Sequence, residues 1–353
     1  MRRVLSPSDI LVRVLAVLAL SACLRPEEKS GEVQISLVLD AARTLKTVEG
    51  TVDEDGVAYW YVLIYDAQGN LLKEMMDLTQ TRYDMIVDAS QYACITLYAF
   101  ANIDPDSLSA GWSDEQSLLS NSYGLEMLQQ SGLLPMSCKL QTAFTSSGTV
   151  KIALERMVSK ICLNSLVVDL KGEFENDDFV QGPVYLQNVV SQMSLEQYFA
   201  GTSDIAAGQG HYPWFYHDNW MYSKFNSGKY QGEHNESDAL GLLGGGTVFY
   251  TLPNFSRSMP SEDPDWADLC TKLVVEADYL YKYVLIDLDV YYPVEVLNRL
   301  SGCLEPNNIY NVDITVHCPG YLDPWGPRVS SDPQVSFSLE VYPWNKCSIQ
   351  ETI

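Results

Sequence analysis

The chain has 353 residues, long enough for two ordinary domains. Hydrophobic residues make up 46% and charged residues 19%, a globular balance that excludes a disordered chain. Acidic residues outnumber basic ones 46 to 22, for a formal net charge of -24. A surface of that sign repels phosphate backbones and argues against nucleic acid as a partner.

Arg2, Arg3 and Arg13 precede an apolar run at residues 14–20. Positive charge, a short apolar segment and small residues before a cut site form a secretory signal. The run is too short for a permanent span, which takes about 20 apolar residues. It closes on Leu20-Ser21-Ala22-Cys23, which resembles a bacterial lipobox. In that pattern the signal, here residues 1–22, is cut just before Cys23 and the cysteine is acylated. Several acyl chains on one residue anchor a protein stably, where one chain is marginal. The alternative is an ordinary signal with a chance cysteine; both readings export the chain. Beyond Cys23 no apolar run is long enough to cross a membrane. Setting Cys23 aside leaves an odd number of the eight cysteines, with no CxxC pair or zinc spacing. Most read as small buried hydrophobes; Cys303 with Cys318 is the one pairing considered.

Residues 24–31 are charged, contain Pro26 and read as a tether. Val33, Ile35, Leu37 and Leu39 then alternate as a half-buried strand. Residues 57–65 are apolar or aromatic on both faces, a central strand. Residues 66–70 turn the chain into Leu71-Leu72 as a hairpin. Residues 94–101 give another core strand. Ser113 is expected to cap a short helix, with Gln116 reaching back. The small residues 145–148 break the pattern and place a domain boundary there, dividing 23–147 from 148–353.

In the second domain, strands are expected at residues 149–154, 156–163, 167–170, 184–190, 247–250, 270–275 and 281–290. Tyr310, Val312, Ile314 and Val316 share one face of a strand at 310–317. Residues 335–341 show the cleanest alternation in the chain and lie near its end. Many short strands, Gly/Pro turns and little helix point to an all-β fold of β-sandwiches with minor helix.

Several short segments, in order, resemble the fimbrillins, the Mfa-type pilus subunits of Bacteroidales. Tyr98-Ala99-Phe100-Ala101-Asn102 resembles that family's Y-A-x-A-N. Leu154 to Ile161 resembles its L-x-R-x-V-A-K-I strand, and Tyr250 to Asn254 its Y-x-L-P-N. Residues 271–277 resemble T-x-L-V-V-E-A, and residues 308–316 resemble N-x-Y-x-V-x-I-T-V. Asp323-Pro324 and the closing Val341-Tyr342-Pro343-Trp344 also fit. The resemblance implies two transthyretin-like β-sandwich domains and a lipoprotein of the outer membrane. It implies a surface fimbrium whose subunits join by strand exchange. It further implies that an arginine-specific protease removes the first strand of polymerising subunits and that a neighbour's C-terminal strand fills the groove.

Such exchange needs a removable first strand and a mobile last one. Residues 33–39 fit the first, and Arg43 lies where the resemblance puts the cut. Val335, Phe337, Leu339 and Val341 are the candidate donated side chains; the tail at residues 345–353 is the other option. The partners are other pilus subunits, the membrane through its lipid, and a host protein or glycan receptor. The aromatic stretch Tyr212, Trp214, Tyr216, Trp220 and Tyr222 is the candidate adhesive contact, since such faces stack on sugars and dominate interfaces. The rival reading is a surface lipoprotein that binds glycans without polymerising. No general acid/base pair, no HExxH and no phosphate-cradling loop stands out, so no enzyme, metal or cofactor is expected. Residues 53–56 and the acidic Glu175, Asp177 and Asp178 lack the spacing of a calcium loop and read as solvated turns.

Overall fold

The computed structural model describes residues 31–40, 56–124, 133–190, 192–202, 221–222, 247–255, 270–281, 286–322 and 335–343. In chain order these form β1 (Glu32–Asp40), β2 (Trp60–Asp66), β3 (Leu71–Leu78), β4 (Arg82–Asp88), β5 (Ile95–Ala101), α1 (Glu115–Ser120), β6 (Ser122–Gly124), β7 (Met136–Thr142), β8 (Gly148–Ala153) and β9 (Glu155–Arg156). Then follow β10 (Ser159–Val168), β11 (Asp178–Gln187), β12 (Gln192–Ser194), α2 (Leu195–Ala200), β13 (Met221–Tyr222), β14 (Thr247–Thr251), β15 (Lys272–Tyr281), β16 (Ile286–Glu295), β17 (Asn308–Val316) and β18 (Val335–Pro343). Two compact units result. The first holds the described residues through Asn121 together with Pro135–Glu155. The second holds those of Ser122–Leu134 and from Arg156 onward.

In the first unit a sheet of order β4-β1-β8 faces a sheet of order β3-β2-β5-β7-β9. Alternate side chains of both fill one core: Ile35, Leu37 and Leu39 from β1, Trp60, Val62 and Ile64 from β2, Leu97 and Ala99 from β5, and Ile152 from β8. Strand β8 stands at the head of the second domain in the sequence reading, yet it is hydrogen-bonded in parallel to β1, from Ile35↔Gly148 to Asp40↔Ala153. Local alternation gives no sign of a parallel partner so distant in sequence.

The second unit repeats the plan. A sheet β14-β10-β17-β18 faces a sheet β13-β11-β15-β16. In each unit the first strand pairs antiparallel with one neighbour (β4 or β14) and parallel with the other (β8 or β17). The facing sheets correspond strand for strand, β3-β2-β5-β7 with β13-β11-β15-β16. This is the transthyretin-like arrangement twice over. Among the described residues three things differ: β9 extends the first unit's larger sheet, β18 adds a strand beyond β17 in the second, and the second also holds the two-stranded β6–β12 sheet. Tyr310, Val312, Ile314 and Val316 of β17 all face the core at 0% exposure, as their alternation predicts.

The far face of the β2–β5 pair is buried too, which explains a strand apolar on both sides. Tyr61, Tyr65, Tyr98 and Phe100 lie there, all fully buried. The segment carrying α1 meets them: Tyr65 Oη donates to the Trp112 carbonyl at 2.9 Å, and Tyr98 Oη donates to Glu115 Oε1 at 2.7 Å. The cap of α1 is Asp114, not Ser113; its carboxylate accepts from the Ser117 N–H at 2.8 Å. Both residue types cap well; the helix simply begins one residue later than a Ser113 cap would set it. The sequence reading passed over α2, whose capping box joins Ser194 and Gln197 and whose end is set by Gly201 at φ 64°.

Candidate functional site

Strand β1 lies in the middle of its sheet. It is antiparallel to β4 from Glu32↔Asp88 to Val38↔Arg82, and parallel to β8 on its other edge. Its inward residues are almost wholly buried, Ile35 at 2%, Leu37 at 0% and Leu39 at 6% exposure. A fully buried aliphatic side chain contributes about 1.5–3 kcal/mol, so the three give on the order of 5–9 kcal/mol. That is an upper bound, because the unfolded chain already hides some apolar surface. Removing β1 leaves a groove between β4 and β8 with two bare rims and an apolar floor.

The outward face of β1 carries a polar cluster that the sequence reading missed, because it runs across strands. Ser36 Oγ donates to Asp84 Oδ1, Arg82 Nη2 donates to Ser36 Oγ at 2.8 Å, and Arg82 Nε donates to Asp84 Oδ1 at 3.0 Å. The Ser36 hydroxyl first, and Arg82 second, hold the Asp84 carboxyl below the usual carboxylate range. Both charged side chains are half exposed, so the ion pair adds little stability, ~0–1 kcal/mol. Its effect is on alignment.

Strand β18 is held differently. It pairs with β17 from Asn308↔Pro343 to Val316↔Val335. Among the described residues no strand pairs with its other edge. Of the candidate donated residues, Leu339 and Val341 are only partly buried against the second core. Val335 and Phe337 are placed by the same ladder, opposite Val316 and Ile314. Ser338 Oγ donates to Asp313 Oδ2 at 3.3 Å.

Residues that carry the sequence resemblance serve the scaffold. Asn102, at φ 60°, accepts from the Ala58 N–H at 3.0 Å and donates to the Gly56 carbonyl at 2.7 Å. Asn254 donates to the Asn188 carbonyl and to Thr271 Oγ1. Arg156 is 6% exposed and donates to Asn307 Oδ1.

The remaining candidates divide simply. Cys23, Arg43, Tyr212, Trp214, Tyr216, Trp220 and residues 345–353 lie outside the described residues; Tyr222 belongs to β13, paired with Tyr185. Cys303 and Cys318 are not joined by a disulfide, so the one pairing considered is not formed. Asp177 is no solvated turn residue: it is 1% exposed and accepts from Tyr279 Oη at 2.9 Å. His317 Nδ1 lies 3.0 Å from the Asp169 carbonyl. Among the described residues there is no group of side chains suited to a metal ion, and no helix long and apolar enough to cross a membrane.

No family profile and no curated protein matches the chain in sequence. Solved structures do match in shape. A "putative cell adhesion protein" of Parabacteroides distasonis superposes with a TM-score of 0.58 at 17% identity, covering 90% of this chain and 100% of its own. A fimbrilin of Porphyromonas gingivalis W83 gives 0.56 at 13% identity, over 88% of this chain and 97% of its own. The tip fimbrial protein Mfa3 of Porphyromonas gingivalis gives 0.51 at 12% identity, over 89% of this chain and 100% of its own. In fold, this chain stands with the fimbrilins of Bacteroidales.

Proposed function

We propose that the chain is a structural subunit of a cell-surface fimbria, exported as a lipoprotein acylated at Cys23 and joined to its neighbours by exchange of a β strand. The observation that carries this reading is the contrast between β1 and β18. The first strand sits in a slot with a partner on each side, and the last is an edge strand with one described partner. Arg43 follows shortly after Asp40, where β1 ends, so an arginine-specific protease acting there would free the strand from the fold. The shared fold supports an assembly role over a catalytic one.

The test is limited digestion of the purified mature chain with an arginine-specific protease, followed by N-terminal sequencing and size-exclusion chromatography. The first cut is expected after Arg43, with oligomers appearing after it. A chain that resists cutting there, or is cut and stays monomeric, refutes the reading.

A further inference from the structure

The second unit's sheet β13-β11-β15-β16 carries a polar row that strand exchange does not use. Gln187 of β11 faces Lys272 of β15, and Lys272 faces Glu295 of β16. Their chain neighbours Leu186, Leu273 and Val294 belong to the core, so the three side chains leave the opposite face of the sheet together. Polar residues on such a face are commonly solvated. These are not: Gln187 is 0% exposed and Lys272 3%. The adjacent row, Tyr185, Val274 and Pro293, is buried as well and keeps water from that side.

Neither the amide nitrogen nor the amide oxygen of Gln187 has a hydrogen-bond partner among the described residues. A buried amide unmatched at both ends is costly and calls for a reason. The row sets an amine, a carboxamide and a carboxylate side by side. Facing residues of antiparallel strands hold their Cβ atoms about 4.5–5.5 Å apart. The flexible stem of a lysine is long enough to carry its nitrogen across that gap to Gln187 Cδ. An amide is a poor electrophile in free solution. Fixed neighbours, however, react at effective concentrations far above any attainable in solution, and Gln187 has no hydrogen bond to give up first.

We propose that Lys272 and Gln187 join in a covalent cross-link, an amide between Nζ and Cδ, with Glu295 carrying the proton. The Glu295 carboxylate takes a proton from the Lys272 ammonium and so activates the amine. The nitrogen lone pair attacks Cδ, Glu295 returns its proton to Nε2, and the Cδ–Nε2 bond breaks. Of the two protons that Nζ loses, one reaches the leaving nitrogen through Glu295 and the other departs with it, so ammonium is released. Nothing is oxidised or reduced, and no further reactant is consumed. The link closes a loop from residue 187 to residue 272 and holds β11 to β15 independently of their ladder, which restricts the unfolded chain.

The decisive measurement needs no variant. Intact-mass spectrometry of the purified full chain should read one ammonia below the mass of its sequence, and proteolytic digestion should yield the peptides of Gln187 and Lys272 as one joined species. Lys272→Arg keeps the charge without the nucleophile, and Gln187→Met removes the amide; both should return the full mass and unfold at a lower temperature than the parent. Glu295→Gln should leave most of the chain unlinked, with circular dichroism showing that it folds. A parent chain of full mass, or an ammonia lost at another place in the peptide map, overturns the cross-link. A fully linked Glu295→Gln chain overturns the proton route.

Discussion

Replacing Leu37 with alanine tests how firmly β1 is built into the first unit. Leu37 is 0% exposed and lies between Tyr83 on β4 and Val150 on β8. Truncating a leucine in such a place removes its transfer energy and leaves a cavity, together about 3–5 kcal/mol. Leu339 of β18 faces Val312 but is only partly buried, on a strand with one described neighbour, so Leu339→Ala should cost about 1–2 kcal/mol. Urea unfolding followed by tryptophan fluorescence and far-UV circular dichroism separates the two. With a slope of about 2 kcal/mol/M, the first variant should lower the midpoint of its unit by roughly 1.5–2.5 M, and the second by roughly 0.5–1 M. Equal shifts, or a Leu37→Ala shift under about 0.5 M at unchanged slope, would refute the argument that β1 is locked and β18 is not.

Asn102→Ala should destabilise the first unit by about 2–3 kcal/mol, since it strips two hydrogen bonds from the Gly56–Ala58 backbone and leaves a non-glycine residue at φ 60°; thermal unfolding measures it, with Asn102→Gly recovering only the backbone part. Gly320→Ala should cost about 1–3 kcal/mol by overpacking, because a Cβ there would lie 2.5 Å from the Tyr291 carbonyl oxygen and 3.0 Å from the Tyr292 ring; a neutral effect would disprove the close approach. The Glu276 carboxyl is raised above its ordinary range by burial first, then by Asp289 and Asp278. The folded state therefore holds this proton more tightly than the unfolded state, so the residue's contribution becomes more favourable as pH falls through its raised value and is least favourable above it. Glu276→Gln should raise the urea midpoint at neutral pH and lose that advantage in mild acid; a lower midpoint at neutral pH would contradict the assignment.

Alternation made β1 and β18 plain in the sequence, because each lies against a core with its other face turned outward. Strand β4 shows the same signal in Tyr83, Met85 and Val87, yet exposed Ile86 blurs it, and the sequence reading passed it over. Without β4 the Ser36, Arg82 and Asp84 cluster has no meaning, since its members meet only across the ladder. Strand β8 was legible as a strand but not as the parallel partner of β1, because parallel pairing leaves no local mark. Tyr65 and Tyr98 were legible as strand residues of the core, and α1 as a short helix, but not the contact between them.

The proposed exchange also explains why a cut should come first. While residues 41–59 join β1 to β2, the strand competes for its slot from within the molecule, at an effective concentration in the millimolar range or above. A neighbour's β18 enters from solution and cannot match that. Cleavage after Arg43 removes the advantage without touching a single contact of β1, so the buried Ile35, Leu37 and Leu39 would still hold it for a time, and release would set the pace of assembly. In the proposed exchange a β18 leaving β17 gives up one ladder and the partial burial of Leu339 and Val341, and a vacant groove would offer it a ladder on each edge and the apolar floor that Ile35, Leu37 and Leu39 fill.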